Sequence, residues 1–126
     1  MTRTCLLAFA INSFVAVALG AFGAHLLKGH LEESLLQTWQ TAVQYQMFHS
    51  MPLLALAWLS QWKTPDNAVV WSGRLFMVGL LLFCGSLYLL ALTGVRVLGA
   101  ITPVGGVSWL IAWALLAKAA ITHTRP

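Results

Sequence analysis

Carboxylates are nearly missing. Glu32, Glu33 and Asp66 are the three acidic side chains in 126 residues, and each stands between apolar runs rather than inside one. That scarcity removes the paired acids of general acid–base catalysis and the acidic relays of proton-moving proteins. Cysteine is scarce as well. Cys5 and Cys84 lie in different apolar runs, which argues against a disulfide framework and for two small buried hydrophobes. There is no HExxH, no CxxC, and no serine or cysteine at a readable spacing from a base, so the patterns of metal hydrolysis and nucleophilic catalysis are absent. Charged residues of both signs make up 8% of the chain against 60% hydrophobic, where an ordinary soluble domain carries about a quarter charged. A single short domain cannot hide that much apolar surface inside itself. A bilayer is the solvent that fits.

The net charge of +4 comes from Arg3, Lys28, Lys63, Arg74, Arg96, Lys118 and Arg125, spread one by one along the chain. Nucleic-acid binding needs clustered cations, and none cluster. Isolated cations beside apolar blocks are the flank pattern of membrane helices. Four such blocks predict transmembrane helices at about residues 5–27, 43–62, 67–92 and 98–121, each near or above the roughly 20 residues needed to cross hydrocarbon. The breaks read KGHLEES, KTPDN and TGVR. Residues 31–42, with Leu31, Leu35, Trp39 and Ala42 about one turn apart, predict either an interfacial helix or an outward extension of the second span. Residues 1–24 also imitate a secretory leader, with Arg3 ahead of an apolar stretch and AFGA at the cleavage spacing. Their run of about 23 apolar residues exceeds a leader's core of about 7–15, and a retained span is expected.

Orientation follows from the cations. With a cytoplasmic N-terminus, Arg3, Lys63, Arg74, Lys118 and Arg125 fall inside and Lys28 and Arg96 outside, which favours both termini inside. Trp58, Trp62 and Trp71 then mark the inner interface and Trp39 the outer one. The expected fold is all-α: a single membrane domain, an integral antiparallel four-helix bundle with cytoplasmic termini.

In that arrangement the unusual residues fall at one level, in the outer half. His25 ends the first span in GAFGAHLL. Tyr45, Gln46 and His49 open the second, Ser86 and Tyr88 sit late in the third, and Thr102, Pro103, Gly105 and Gly106 sit early in the fourth. Thr41, Tyr45, His49 and Pro52 share one helix face. Polar groups at this depth cost several kcal/mol each if unpaired, so they must face protein, ligand or water. Thr102 either caps a helix that begins at Pro103, leaving free amides suited to an anion, or Pro103 kinks a longer helix. For helix packing, Asn12, Ala16, Gly20 and Ala24 form a small-residue stripe at steps of four. Ser72, Gly79, Ser86 and Thr93 form a seam at steps of seven, and Gly85 is a further expected packing position on that helix.

The segments ALGAFGAH, QTAVQYQMFHSM, FCGSLYLLAL and ITPVGGVSWLIAW, in this order and at these spacings, resemble the YgdD-like family of small inner-membrane proteins, which has a eukaryotic relative in transmembrane protein 256. The resemblance runs from about Ala8 to Lys118 and implies a four-helix integral membrane protein. It implies no activity, because the family is a domain of unknown function. Its signature positions here are Gly20, Gly23, His25, Tyr45, Gln46, His49, Gly85, Ser86, Tyr88, Thr102, Pro103, Gly105 and Gly106.

The leading reading is a structural cluster in an accessory or assembly protein that works through another membrane protein or a second copy of itself, surrounded by lipid and without nucleic acid. One alternative is a binding site for a lipid headgroup or small polar ligand at the outer cluster. Another is a haem or copper site on His25 and His49, to which Met47, Met51 and His30 would add donors. No cofactor and no enzymatic activity are expected.

Overall fold

Long apolar sequence with few breakers makes helix the only economical backbone here, because each helix satisfies its own amides and carbonyls. The computed structural model describes residues 1–124. Arg125, one of the cations used for orientation, lies outside the described residues. The described chain is helix and turn, with no strand beyond an isolated bridge between Lys28 and Leu31. Helix α1 (Thr2–Phe22) ends in a π-helical turn, Gly23–Leu27. After a tight loop, α2 runs unbroken over Glu33–Trp62. A continuous rod follows: α3 (Asn67–Gly79), a π-helical stretch (Leu80–Cys84) and α4 (Gly85–Thr93). A 3-10 turn, Arg96–Ala100, leads into α5 (Thr102–His123).

The ends have local causes. Gly29 at φ +88° makes the turn after α1, and Gly94 at φ +71° stops α4 in the left-handed region, a conformation that glycine adopts without steric penalty. Asp66 caps α3, its Oδ1 accepting from the Val69 amide at 3.0 Å. Its other oxygen lies 3.8 Å from Nε2 of the buried His123, which ties the end of α5 to the start of α3.

Three helical rods are long and apolar enough to cross a membrane: Thr2–Leu27, Asn67–Thr93 and Arg96–His123. The fourth predicted span belongs to α2, which falls short of that apolarity because it carries Gln37, Gln40, Gln44, Gln46, His49 and Ser50. The packing explains why it can. Helix α2 touches α1, α3, α4 and α5, so more of its surface meets protein. From Glu33 onward the stretch predicted at 31–42 is continuous with the rest of α2, while Leu31 lies in the turn before it.

Within a membrane the attraction between helices comes from close packing and interhelical hydrogen bonds rather than from burial away from water. Both are visible. The core is built on Leu53, Leu56, Val69 and Phe76, all fully buried. Ser72 Oγ donates to the Ala112 carbonyl at 2.9 Å and Ser108 Oγ to the Leu75 carbonyl at 2.8 Å, stitching α3 to α5. Cys5 and Cys84 are buried and unpaired, as expected of small core residues.

Two packing expectations need correction. In the α1 stripe, Ala16 is buried and Gly20 meets Val43, but Ala24 is exposed. The π turn shifts the facing position by about one residue, so Gly23 takes the contact instead, against the Trp39 ring. Gly79 does pack closely. Gly85 does not: a Cβ there would meet nothing within 4 Å. Among the tryptophans used as interface markers, Trp39 is buried on Gly23, whereas Trp58, Trp62 and Trp71 are exposed.

Candidate functional site

The residues singled out in the sequence divide into three groups. The first is built on Gln46, which is buried on α2. Its Oε1 accepts from the Tyr88 hydroxyl at 2.7 Å, and its Nε2 donates to the Asn12 carbonyl at 3.3 Å. One amide side chain thus joins α1, α2 and α4. Tyr88 also stands edge-on to Trp39, with ring centroids 4.7 Å apart. Beside these groups lies a groove of about 270 Å³ lined by Asn12, Gln46, Gly85 and Tyr88 among apolar neighbours.

The second group is an aromatic stack around His49. Its ring lies on Trp109, with centroids 3.7 Å apart and planes within 6°. Tyr45 is parallel to both, at 5.6 Å from His49 and 5.9 Å from Trp109. Phe48 and Trp113 meet His49 edge-on. The imidazole is 8% exposed, while Tyr45 is 42% exposed and closes the stack from outside. His49 Nδ1 is 3.0 Å from the Tyr45 carbonyl. A carbonyl can only accept, so Nδ1 carries the hydrogen and Nε2 is the lone-pair nitrogen of the neutral ring.

The third group is the pair Ser86 and Thr102, whose hydroxyls are 2.6 Å apart. Ser86 also reaches the Phe83 carbonyl at 2.9 Å. Helix α5 does start at Thr102–Pro103, but Thr102 is not a cap; its side chain is turned to Ser86. The amides of Val104 and Gly105 both bond to the Ile101 carbonyl, so the anion-binding terminus expected there has no free donor at those positions. Pro103 is exposed in the first turn. Gly105 is a packing residue: a Cβ would come within 2.5 Å of the Phe83 amide nitrogen. Gly106 only brushes the Phe83 ring, at 3.9 Å.

His25 does not join these groups. It sits exposed in the π turn that ends α1, and it makes no side-chain hydrogen bond to them among the described residues. Among the described residues no set of three or more His, Cys, Asp and Glu side chains comes together. Of the His49 nitrogens, Nδ1 is taken by the Tyr45 carbonyl, which leaves Nε2 as the one that could act as a donor, inside the aromatic stack.

Two residues that organise the site are not candidates in the sequence reading. Trp109 donates its indole N–H to the Phe76 carbonyl at 3.2 Å, and Trp39 donates to the Leu19 carbonyl at 2.9 Å. Each ring lies on a glycine of the neighbouring helix: Gly79 for Trp109 and Gly23 for Trp39. A tryptophan inside an apolar run carries no mark of this in sequence. The available signal was the glycine in the partner run.

The family model described as "Protein of unknown function (DUF423)" matches residues 19–106. The chain belongs to this family. All three groups lie within that DUF423 match apart from Asn12, Trp109 and Trp113. The chain is 45% identical over 114 residues to the UPF0382 membrane protein YwdK of Bacillus subtilis, covering 90% of this chain and 93% of that one. It is 46% identical over 112 residues to a UPF0382 membrane protein of Staphylococcus epidermidis, covering 89% and 90%. A third such protein, from Staphylococcus saprophyticus, is 46% identical over 107 residues, covering 85% and 88%. No solved structure matches. This DUF423 chain is a helical membrane protein of a family without a described activity.

Proposed function

We propose that the chain is a multi-pass protein of the cell inner membrane, an antiparallel bundle of four crossing helices with both termini cytoplasmic, and that it serves as a structural, accessory or assembly protein for another membrane protein. The helix pairs support the antiparallel direction: Asn12 with Gln46 and Leu19 with Trp39, then Phe76 with Trp109 and Ser72 with Ala112. Cation counting supports the orientation. The likeness to YgdD-like proteins and to transmembrane protein 256 fits the same reading.

One observation carries the accessory role. Nearly every polar side chain of the cluster is bonded to another member or to a neighbouring backbone, as Gln46 is to Tyr88 and Asn12. Such bonds hold helices in register, at about 0.6–2 kcal/mol each. This reading carries no catalysis and no resident cofactor. The outward surface of α1, with Ile11 and Phe14 exposed, is where a partner or second copy would dock.

A photo-crosslinking residue at Phe14, activated in native membranes, tests the role. A discrete protein adduct, either a dimer or one recurrent partner, is the expected result. Lipid adducts alone would overturn it. Cysteines at Gly29, Thr64 and Thr124, labelled from each side, test the orientation separately.

A second reading, a small polar ligand or lipid headgroup at the cluster, has one observation in its favour: the groove beside Gln46 and Tyr88. Soaking with a ligand would have to break the Gln46–Tyr88 bond, which infrared spectra of the tyrosine would report.

A further inference from the structure

A larger cavity lies away from the polar cluster. It is a lateral cleft of about 610 Å³ between α1 and α3. Cys5 and Ala8 form one wall, Gly73 and Met77 the other, and Leu53 of α2 is the floor. Met77 also lines the groove beside Tyr88, so the two hollows share a wall and follow the same rod. The lining is apolar apart from Thr4, the amino group of Met1 beside Cys5, and a single charged side chain, Arg74; it holds no acid. Its guanidinium carbon lies 5.1 Å from the centroid of the Trp71 ring, one turn toward the start of α3. Helical side chains lean toward the helix N-terminus. The charge is therefore drawn to the end of the rod where the membrane surface lies. Among the described residues Arg74 has no carboxylate within ion-pair distance.

We propose that this cleft seats one acyl chain of an anionic phospholipid, with Arg74 holding the headgroup phosphate. From Arg74 to Tyr88 the rod extends about 21 Å at roughly 1.5 Å per residue. A leaflet of hydrocarbon is about 15 Å deep, so a tail that starts at the Arg74 level fits lengthwise. A tail leaving the bilayer for the cleft stays in an apolar medium, and its burial adds little by itself. Selectivity therefore comes from the headgroup. A cation with no protein partner, leaning on an aromatic face beside a tail-shaped slot, selects a phosphate bearing net negative charge over a zwitterion. Gly73 keeps the slot open: a Cβ there meets only the mobile end of Met1, at 3.2 Å, and Leu56 at 3.7 Å. The inference rests on α3 starting at a membrane surface and is independent of any protein partner.

The test is native mass spectrometry of the full chain released from mixed micelles of phosphatidylglycerol and phosphatidylcholine with identical tails. The intact protein is expected to retain one phosphatidylglycerol with a preference of about tenfold. Arg74→Gln should bring that preference to about one while leaving the thermal unfolding profile unchanged. Gly73→Leu, which fills the slot, should remove adducts of both lipids, and Arg3→Gln should alter nothing. An unchanged preference in Arg74→Gln, or undiminished adducts in Gly73→Leu, would overturn the site. If Gly73→Leu fails to fold, a spin-labelled lipid contacting Cys5 in the intact chain decides the matter; no contact overturns it. Thr64 labelling reports separately on whether α3 begins at a surface, and Phe14 crosslinking on the accessory role.

Discussion

The Trp39 and Trp109 contacts are the same device used in two places. In each, the Cδ1–Nε1 side of an indole abuts a glycine where a π turn begins, Gly23 or Gly79, and its N–H donates to a carbonyl just upstream. Their surroundings differ. At Trp109 the backbone is held on both sides, by Gly105 against Phe83 and by the bonds of Ser72 and Ser108. At Trp39 the contact closes the end of α1, and the chain turns away five residues after Gly23, through Lys28 and the left-handed Gly29. One joint is a lock in mid-span. The other is a clasp at the rim, where the loop can yield.

Substitutions sharpen the contrast. The largest effect is expected from Gly79→Ala, whose Cβ would meet the Trp109 ring with no room to move. It should cost about 3 kcal/mol, at the top of the overpacking range, read as loss of folded protein in a detergent unfolding titration. Trp109→Phe comes next, at about 2 kcal/mol, because it removes both an interhelical bond and the face on which His49 stacks. Gly23→Ala should cost about 1 kcal/mol, since Trp39 can ride outward with the loop. Equal costs at Gly79 and Gly23 would erase the distinction between lock and clasp. The smallest effect is Tyr88→Phe, about 0.6 kcal/mol. A double-mutant cycle with Gln46→Leu should recover that value as coupling; a cycle showing none would mean that the hydroxyl is not held by the amide.

Much of this was legible in the sequence. Gln46 and Tyr88 could be expected to meet because isolated polar groups in apolar runs must find partners, and the same holds for Ser86 and Thr102; Asn12 reads in the sequence only as part of the α1 packing stripe. What was not legible came from two physical sources. Regular steps of four carry Ala24 to the packing face, and Gly85 reads as a packing position beside the seam; both lie within or just after a π segment, where helical counting drifts. His25 was assigned to the cluster by depth alone, yet depth says nothing about which way a residue at a helix end points. Likewise the tryptophans reveal their role only through the glycines opposite them, and pairing between separate helices is not written along either one.

Helix α2 has a mechanical consequence. Its 30 residues extend about 45 Å at roughly 1.5 Å per residue, against about 30 Å of hydrocarbon. In the proposed orientation the surplus, from Glu33 onward, projects beyond the outer surface as a stiff handle without a hinge above Gln46. A torque applied to that handle by anything grasping it outside would first load the Trp39 clasp on α1 and then pass down the same helix to the Tyr45–His49–Trp109 stack.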